Sequence, residues 1–190
     1  MKTMLLSIAT ILLPIFLNVA RAQGPTAIPP EAVESWSAII GNWEIEGRVR
    51  SVPLTGSATF EWAADKHCYL GQQVWHVGSE ARVVHLELIG GWDAATNETV
   101  EQGFSSAGSS ATVRYSSGGP SDVAGGVKGE IEGTSGPDRR WSGTVVRAQR
   151  GPNEFTITTT IDGDVVHALK YVRVGREVRL DSQAGERPKE

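Results

Sequence analysis

Gly41-Asn42-Trp43-Glu44-Ile45-Glu46-Gly47-Arg48-Val49-Arg50 alternates without a break. Trp43, Ile45, Gly47 and Val49 fall on one side of an extended chain, and Glu44, Glu46, Arg48 and Arg50 on the other. A period of two with one apolar and one charged face predicts a strand that packs on a core on one side and meets water on the other. Just upstream, Pro29-Pro30 lead into residues 31–40, where Ala32, Val33, Trp36, Ile39 and Ile40 recur on one helical stripe. Proline and an acidic residue suit the first turn of a helix, so a short amphipathic helix is predicted, with Gly41 as its C-cap.

Downstream, alternating runs separated by turn residues predict nine more strands: 55–63, 67–77, 82–91, 99–106, 110–116, 127–134, 140–150, 154–161 and 165–174. Pro53 is expected to end the first strand, 42–51. Asp162-Gly163 is a strong hairpin signal. The connections are short, which makes neighbours pair antiparallel in a meander. A long meander leaves two edges unless it closes. The fold expected is therefore all-β: about ten strands in an antiparallel up-and-down barrel with a short N-terminal capping helix. A two-sheet sandwich is the alternative, and the lack of a long crossover argues against it.

The remaining segments bound the domain. Residues 1–22 read as a secretory signal peptide: Lys2, an apolar run from Met4 to Val19 broken by Pro14, and small residues in Ala20-Arg21-Ala22. Residues 23–29 are a linker, 30–175 the barrel domain, and 176–190 a polar tail expected to be disordered. The apolar run is too short for a membrane span, so no span is expected after cleavage, and the chain is expected in the periplasm or outside the cell. Cys68 is the only cysteine of the 190 residues, so the fold holds by packing and not by disulfides. The net charge of −4, with both signs interspersed, offers no basic patch for nucleic acid.

Several motifs together resemble the calycin superfamily. A helix leads into Gly41-Asn42-Trp43; Phe60-Glu61-Trp62 closes the second strand; Gly91-Trp92-Asp93 stands in mid-chain; Phe104 runs towards Gly108; and Tyr171-Val172-Arg173-Val174 ends the last strand. This order is similar to a family of exported bacterial lipocalin-like proteins of unknown function. More distantly it resembles nitrobindins and fatty-acid-binding proteins. The resemblance implies that Trp43 plugs the closed end and that Arg173 covers its ring as a structural closure. In the fatty-acid-binding manner, Tyr171 and Arg173 would instead grip a carboxylate. In the nitrobindin manner, His167 would ligate haem iron, although residues 47–53 depart from the nitrobindin pattern.

Parity places further candidates. Phe60, Trp62, Trp75, Phe104, Tyr115, Trp141 and Phe155 sit on strands and could line a lumen, together with His167, Tyr171 and Arg173. His167 shares parity with Val165, Leu169 and Tyr171, and faces inward if Lys170 faces water. Trp92 is expected to anchor a hairpin end, and Cys68 to be a buried structural thiol. His76 and His85 flank a hairpin without an acidic third ligand, so no metal site is expected. No catalytic constellation is present: Gly-x-Ser-x-Gly does not occur, and no serine or aspartate is placed beside a histidine. The function expected is non-enzymatic binding of a small hydrophobic or amphipathic molecule in the lumen, with no cofactor. The alternatives are haem binding through His167, or a structural and interaction module with a packed lumen.

Overall fold

The computed structural model describes residues 27–79, 82–116 and 126–175. The expected signal segment, most of the linker and the tail lie outside these residues. Ten strands follow one helix, α1 (Pro30–Ser37): β1 (Gly41–Val49), β2 (Val52–Ala63), β3 (Cys68–Val77), β4 (Arg82–Asp93), β5 (Glu98–Ser105), β6 (Ser109–Ser116), β7 (Gly126–Ser135), β8 (Arg139–Gly151), β9 (Glu154–Ile161) and β10 (Asp164–Arg173). Each pairs antiparallel with its neighbours in sequence, and β1 pairs with β10 to close the barrel.

Two boundaries differ from the expectation. Pro53 does not end β1 but lies within β2, opposite Arg48. The helix stops at Ser37, with Ala38 as its cap, and Ile39 and Ile40 form the link into β1. Gly41 is the first residue of that strand, at φ +133°. A side chain there would collide with the Arg173 guanidinium. Glycine at 41 therefore serves the barrel seam and not the helix end. The Asp162-Gly163 turn takes φ +53° and +86°, the two left-handed positions of a type I′ hairpin.

Register makes the seam. Trp43 lies opposite Arg173, Ile45 opposite Tyr171, Gly47 opposite Leu169 and Val49 opposite His167, so the inward faces of β1 and β10 coincide. Outward, Lys170 is ion-paired with Glu46. At the helix end the Arg173 guanidinium carbon lies 4.2 Å from the Trp43 ring centroid. Its nitrogens donate to the carbonyls of Ile40 (2.7 Å), Ala38 (2.9 Å) and Pro152 (3.2 Å). The Trp43 indole N–H donates to Ile39 O at 2.7 Å. One cation thus ties β10 to the helix exit, to the β8–β9 turn and to the first inward ring.

The helix docks by Trp36, which is fully buried against Trp62 and Tyr69 at centroid distances of 6.2 and 5.8 Å. Its indole N–H is the buried polar side-chain atom left without a partner among the described residues. Burying an indole removes roughly 200 Å² from water, worth about 5 kcal/mol, whereas an orphaned donor costs about 1–3 kcal/mol. Burial wins, and the helix is held down. Trp43, Phe60, Phe155 and Tyr171 fill the space beneath it, with Phe155 stacked on Tyr171 at 4.3 Å and edge-on to Trp43 at 4.7 Å.

Arg173→Ala is expected to destabilise the barrel by about 2–4 kcal/mol, since charge-assisted hydrogen bonds and a cation–π contact are lost together. Arg173→Lys should recover little, because one ammonium cannot span the Ile40 and Ala38 carbonyls while covering the ring. Urea unfolding followed by tryptophan fluorescence reads both, and a lysine variant with the wild-type midpoint would refute the closure role.

Candidate functional site: a cavity over a polar floor

The packed cluster fills only the helix half of the barrel. Beyond it lies a cavity of ≈ 360 Å³. Val84, Leu86 and Leu88 of β4, Ile131 of β7, Val145 of β8 and Ile157 of β9 give it apolar walls. It reaches residues next to the turns opposite the helix, including Val49, Val77, Ala107 and His167. A wider basin of ≈ 880 Å³ lies at this mouth, lined by Arg48, Arg50, Arg139 and Arg140 together with Asp162 and Asp164.

The floor is polar and carries an ion pair. Arg147 of β8 is 6% exposed. It donates from Nη1 to Glu101 Oε1 at 2.9 Å and from Nη2 to Ser35 Oγ of the helix at 3.0 Å, and its guanidinium lies over the Tyr115 ring. Glu101 of β5 also accepts from the Tyr69 hydroxyl, and from the Tyr115 hydroxyl at 3.3 Å. A side chain at Gly90 would occupy the space of the Tyr69 ring, so glycine on β4 makes room for this arrangement. Burial first, and then the charge of Glu101, push the Tyr69 and Tyr115 hydroxyls well above the usual tyrosine range. Burial lowers the basicity of Arg147, but Tyr115, Glu101 and Tyr69 outweigh it, and the guanidinium stays charged. A buried pair is tolerable when further hydrogen bonds support it, and here Ser35 supports Arg147 while Tyr69 and Tyr115 support Glu101.

A second hub is Gln73 of β3. Its Oε1 accepts from Tyr171 Oη and from Trp75 Nε1, both at 3.0 Å. Because an indole N–H can only donate, this arrangement fixes which end of the amide is oxygen. Burial raises the Tyr171 hydroxyl above the ordinary tyrosine value. His167 lines the cavity with its ring 5.6 Å from that of Trp75. Burial pushes its imidazole below the usual 6.5, so it is neutral near pH 7.

The candidate residues divide by height in the barrel. Trp75, Tyr115, Trp141, His167 and Tyr171 line the cavity. Phe60, Trp62 and Phe155 do not: they pack under the helix, because they stand at the strand ends nearest α1. Arg173 lies in that same layer over Trp43, where it meets carbonyls and cannot reach a carboxylate held beside Tyr171 in the lumen. Phe104 is a correction of another kind. Parity puts Glu101 and Gly103 inward, so Phe104 points out, 58% exposed, and touches the cavity only at its rim. Val165 also departs from expectation: a bulge between Val165 and His167 turns it outward while His167 keeps its inward place. Trp92 packs beside the helix-end core, and Cys68 is half-buried. His76 and His85 are exposed, and no cluster able to hold a metal occurs among the described residues.

Glu101, Arg147 and Gln73 escaped the sequence reading. A signal for Arg147 existed, since it shares parity with Trp141 and Val145. Glu101 is harder to find, because both Val100 and Gly103 make plausible inward neighbours.

No protein-family model matches the chain, and no curated protein does. Among solved structures it is similar to a de novo designed fluorescence-activating β-barrel, at 13% identity over 74% of this chain and 97% of that one, with a TM-score of 0.44.

A depressed histidine pKa means the unfolded chain binds the proton first on acidification. Stability contributed by neutral His167 is therefore complete above 6.5 and lost as pH falls from there towards the lowered value. The acid-side fall in urea midpoint should be shallower in His167→Gln, and the wild-type imidazole resonance should titrate below 6.5. A midpoint at or above that value would contradict the buried placement.

Proposed function

We propose that this chain is an exported, calycin-like, non-enzymatic barrel that binds a small apolar or amphipathic molecule in its lumen. The observation that carries the reading is the apolar-walled cavity of ≈ 360 Å³ facing the turns opposite the helix. Small-molecule sites occupy roughly 300–1,000 Å³, so the ligand would be compact. The wall supplies hydrophobic free energy, and the floor supplies a few fixed polar groups that orient the guest. The interaction-module alternative, which needs a solid lumen, draws no support from this space. The export setting rests on residues 1–22 and belongs to the proposal.

Haem held by His167 is the second reading. In its favour, the imidazole lines the cavity and makes no hydrogen bond within the described residues. The remainder of the site fits a haem poorly: the cavity lies near the lower end of the small-molecule range, and the Trp75 ring stands beside the imidazole. Haem-supplemented wild type and His167→Ala should give the same Soret band, and a band shift specific to wild type would favour haem.

The lumen reading is tested by filling the space. Aminoanthracene, a neutral polarity-sensitive dye, should brighten on wild type. Ala111 lines the cavity on β6, and Ala111→Phe should weaken the dye at least about tenfold, a change of about 1.4 kcal/mol. Equal binding by a well-folded variant would place the dye elsewhere and sink the reading.

A further inference from the structure

Resting on that reading, we infer that the lumen takes an uncharged apolar molecule tipped by a hydrogen-bond acceptor, such as a ketone, ester or amide. It would be seated acceptor-first on the Gln73 amide, and a free carboxylate would be excluded from the floor.

Three observations lead there. First, the Gln73 oxygen is occupied twice, by Tyr171 and Trp75, and the orientation of the amide is thereby fixed. Its NH₂ group makes no hydrogen bond among the described residues, although the residue is only 6% exposed and lines the cavity. Unlike the Trp36 indole N–H, this group is not sealed from the space around it, and a guest carbonyl in the cavity would accept from it. Second, the cation nearest this floor is out of reach. Both terminal nitrogens of Arg147 are engaged, one by Glu101 and one by Ser35, and its face lies on Tyr115. Third, the ionised group on the cavity surface at this depth is the Glu101 partner of that pair. A guest carboxylate would meet another carboxylate and a neutral imidazole, with no guanidinium free to receive it. Arg82, the other charged residue lining the cavity, is exposed at the start of β4, at the mouth.

The wall agrees with this orientation. Above Gln73 the lining is mostly apolar, with Val49, Val77, Val84 and Leu86 beside Trp75 and Trp141, so an apolar body suits it and a second polar end would emerge near the mouth arginines. A cationic tip at the buried end would have to compete with groups already held there. A guest ammonium would find the Glu101 oxygens already receiving Tyr69, Tyr115 and Arg147.

The test compares two guests of equal chain length, methyl octyl ketone and decanoate, by displacement of aminoanthracene at neutral pH. Wild type should bind the ketone at least about tenfold more tightly than the acid. Gln73→Glu keeps an oxygen for Tyr171 and Trp75 but replaces the donor, and should abolish the ketone preference. Should that variant fold poorly, infrared spectroscopy of an isotope-labelled ketone on wild type reads the same contact: the carbonyl stretch should move to lower frequency than in an apolar solvent. Dye binding with equal affinities, tighter decanoate, or an unshifted carbonyl overturns the inference and leaves the lumen reading standing. Failure of the dye itself to bind the lumen overturns the reading beneath it.

Discussion

The β1–β10 seam is the constraint on which the rest depends. Nine of the ten pairings join neighbours in sequence, but the seam joins strands at the two ends of the domain and bears the largest loop-closure entropy. It needs an anchor that is specific as well as strong. Arg173 provides one by facing Trp43 in register while its nitrogens reach carbonyls of the helix exit and of the β8–β9 turn. A hydrophobic contact alone would tolerate a shifted register; a planar cation aimed at several fixed carbonyls does not. Gly41 completes the device by leaving room for the guanidinium.

The seam also decides where a guest could sit. Once the helix end is plugged by Trp36, Trp43 and Phe155, the interior volume that remains lies on the other side of the Glu101–Arg147 layer. That layer is expensive. Two charges are withdrawn from water, and well-packed apolar side chains of similar size would often do as well or better for stability. What the ion pair adds is direction: Arg147 reaches Ser35 and so connects the floor of the cavity to the capping helix. It also spends its hydrogen bonds internally, so the floor carries fixed polarity without a loose charge.

The fold was legible in the sequence because it rests on local patterns. The alternation at 41–50, the short turns and the Asp162-Gly163 hairpin each report a local geometry, and a meander needs little else. The site was only half legible. Parity says which face a residue takes but not its height along the barrel axis, and height separates Trp75 and Tyr115 in the cavity from Phe60 and Phe155 under the helix. Phe104 was misplaced because its hydrophobicity suggested the inside, whereas Glu101, three residues earlier and so of opposite parity, holds the inward place. Hydrophobicity is a poor guide on a strand where a buried acid has partners from three other strands and cannot announce them locally.

The bulge in β10 shows the same limit from the other side. Simple alternation put Val165 and His167 on one face, and an extra residue between them broke that link while preserving the inward imidazole. The bulge lies next to the mouth, at the end of the barrel that the plug leaves open. Bulges re-aim side chains where regular pairing would put them wrongly, and they concentrate at barrel rims. Without it, pairing beyond His167 would carry Val165 into the opening. With it, Val165 is 46% exposed, and the cavity wall at this point is His167. The same ten-residue strand thus ends in a rigid plug at Arg173 and begins in an irregular rim at Asp164. That asymmetry makes the barrel a vessel with one closed end.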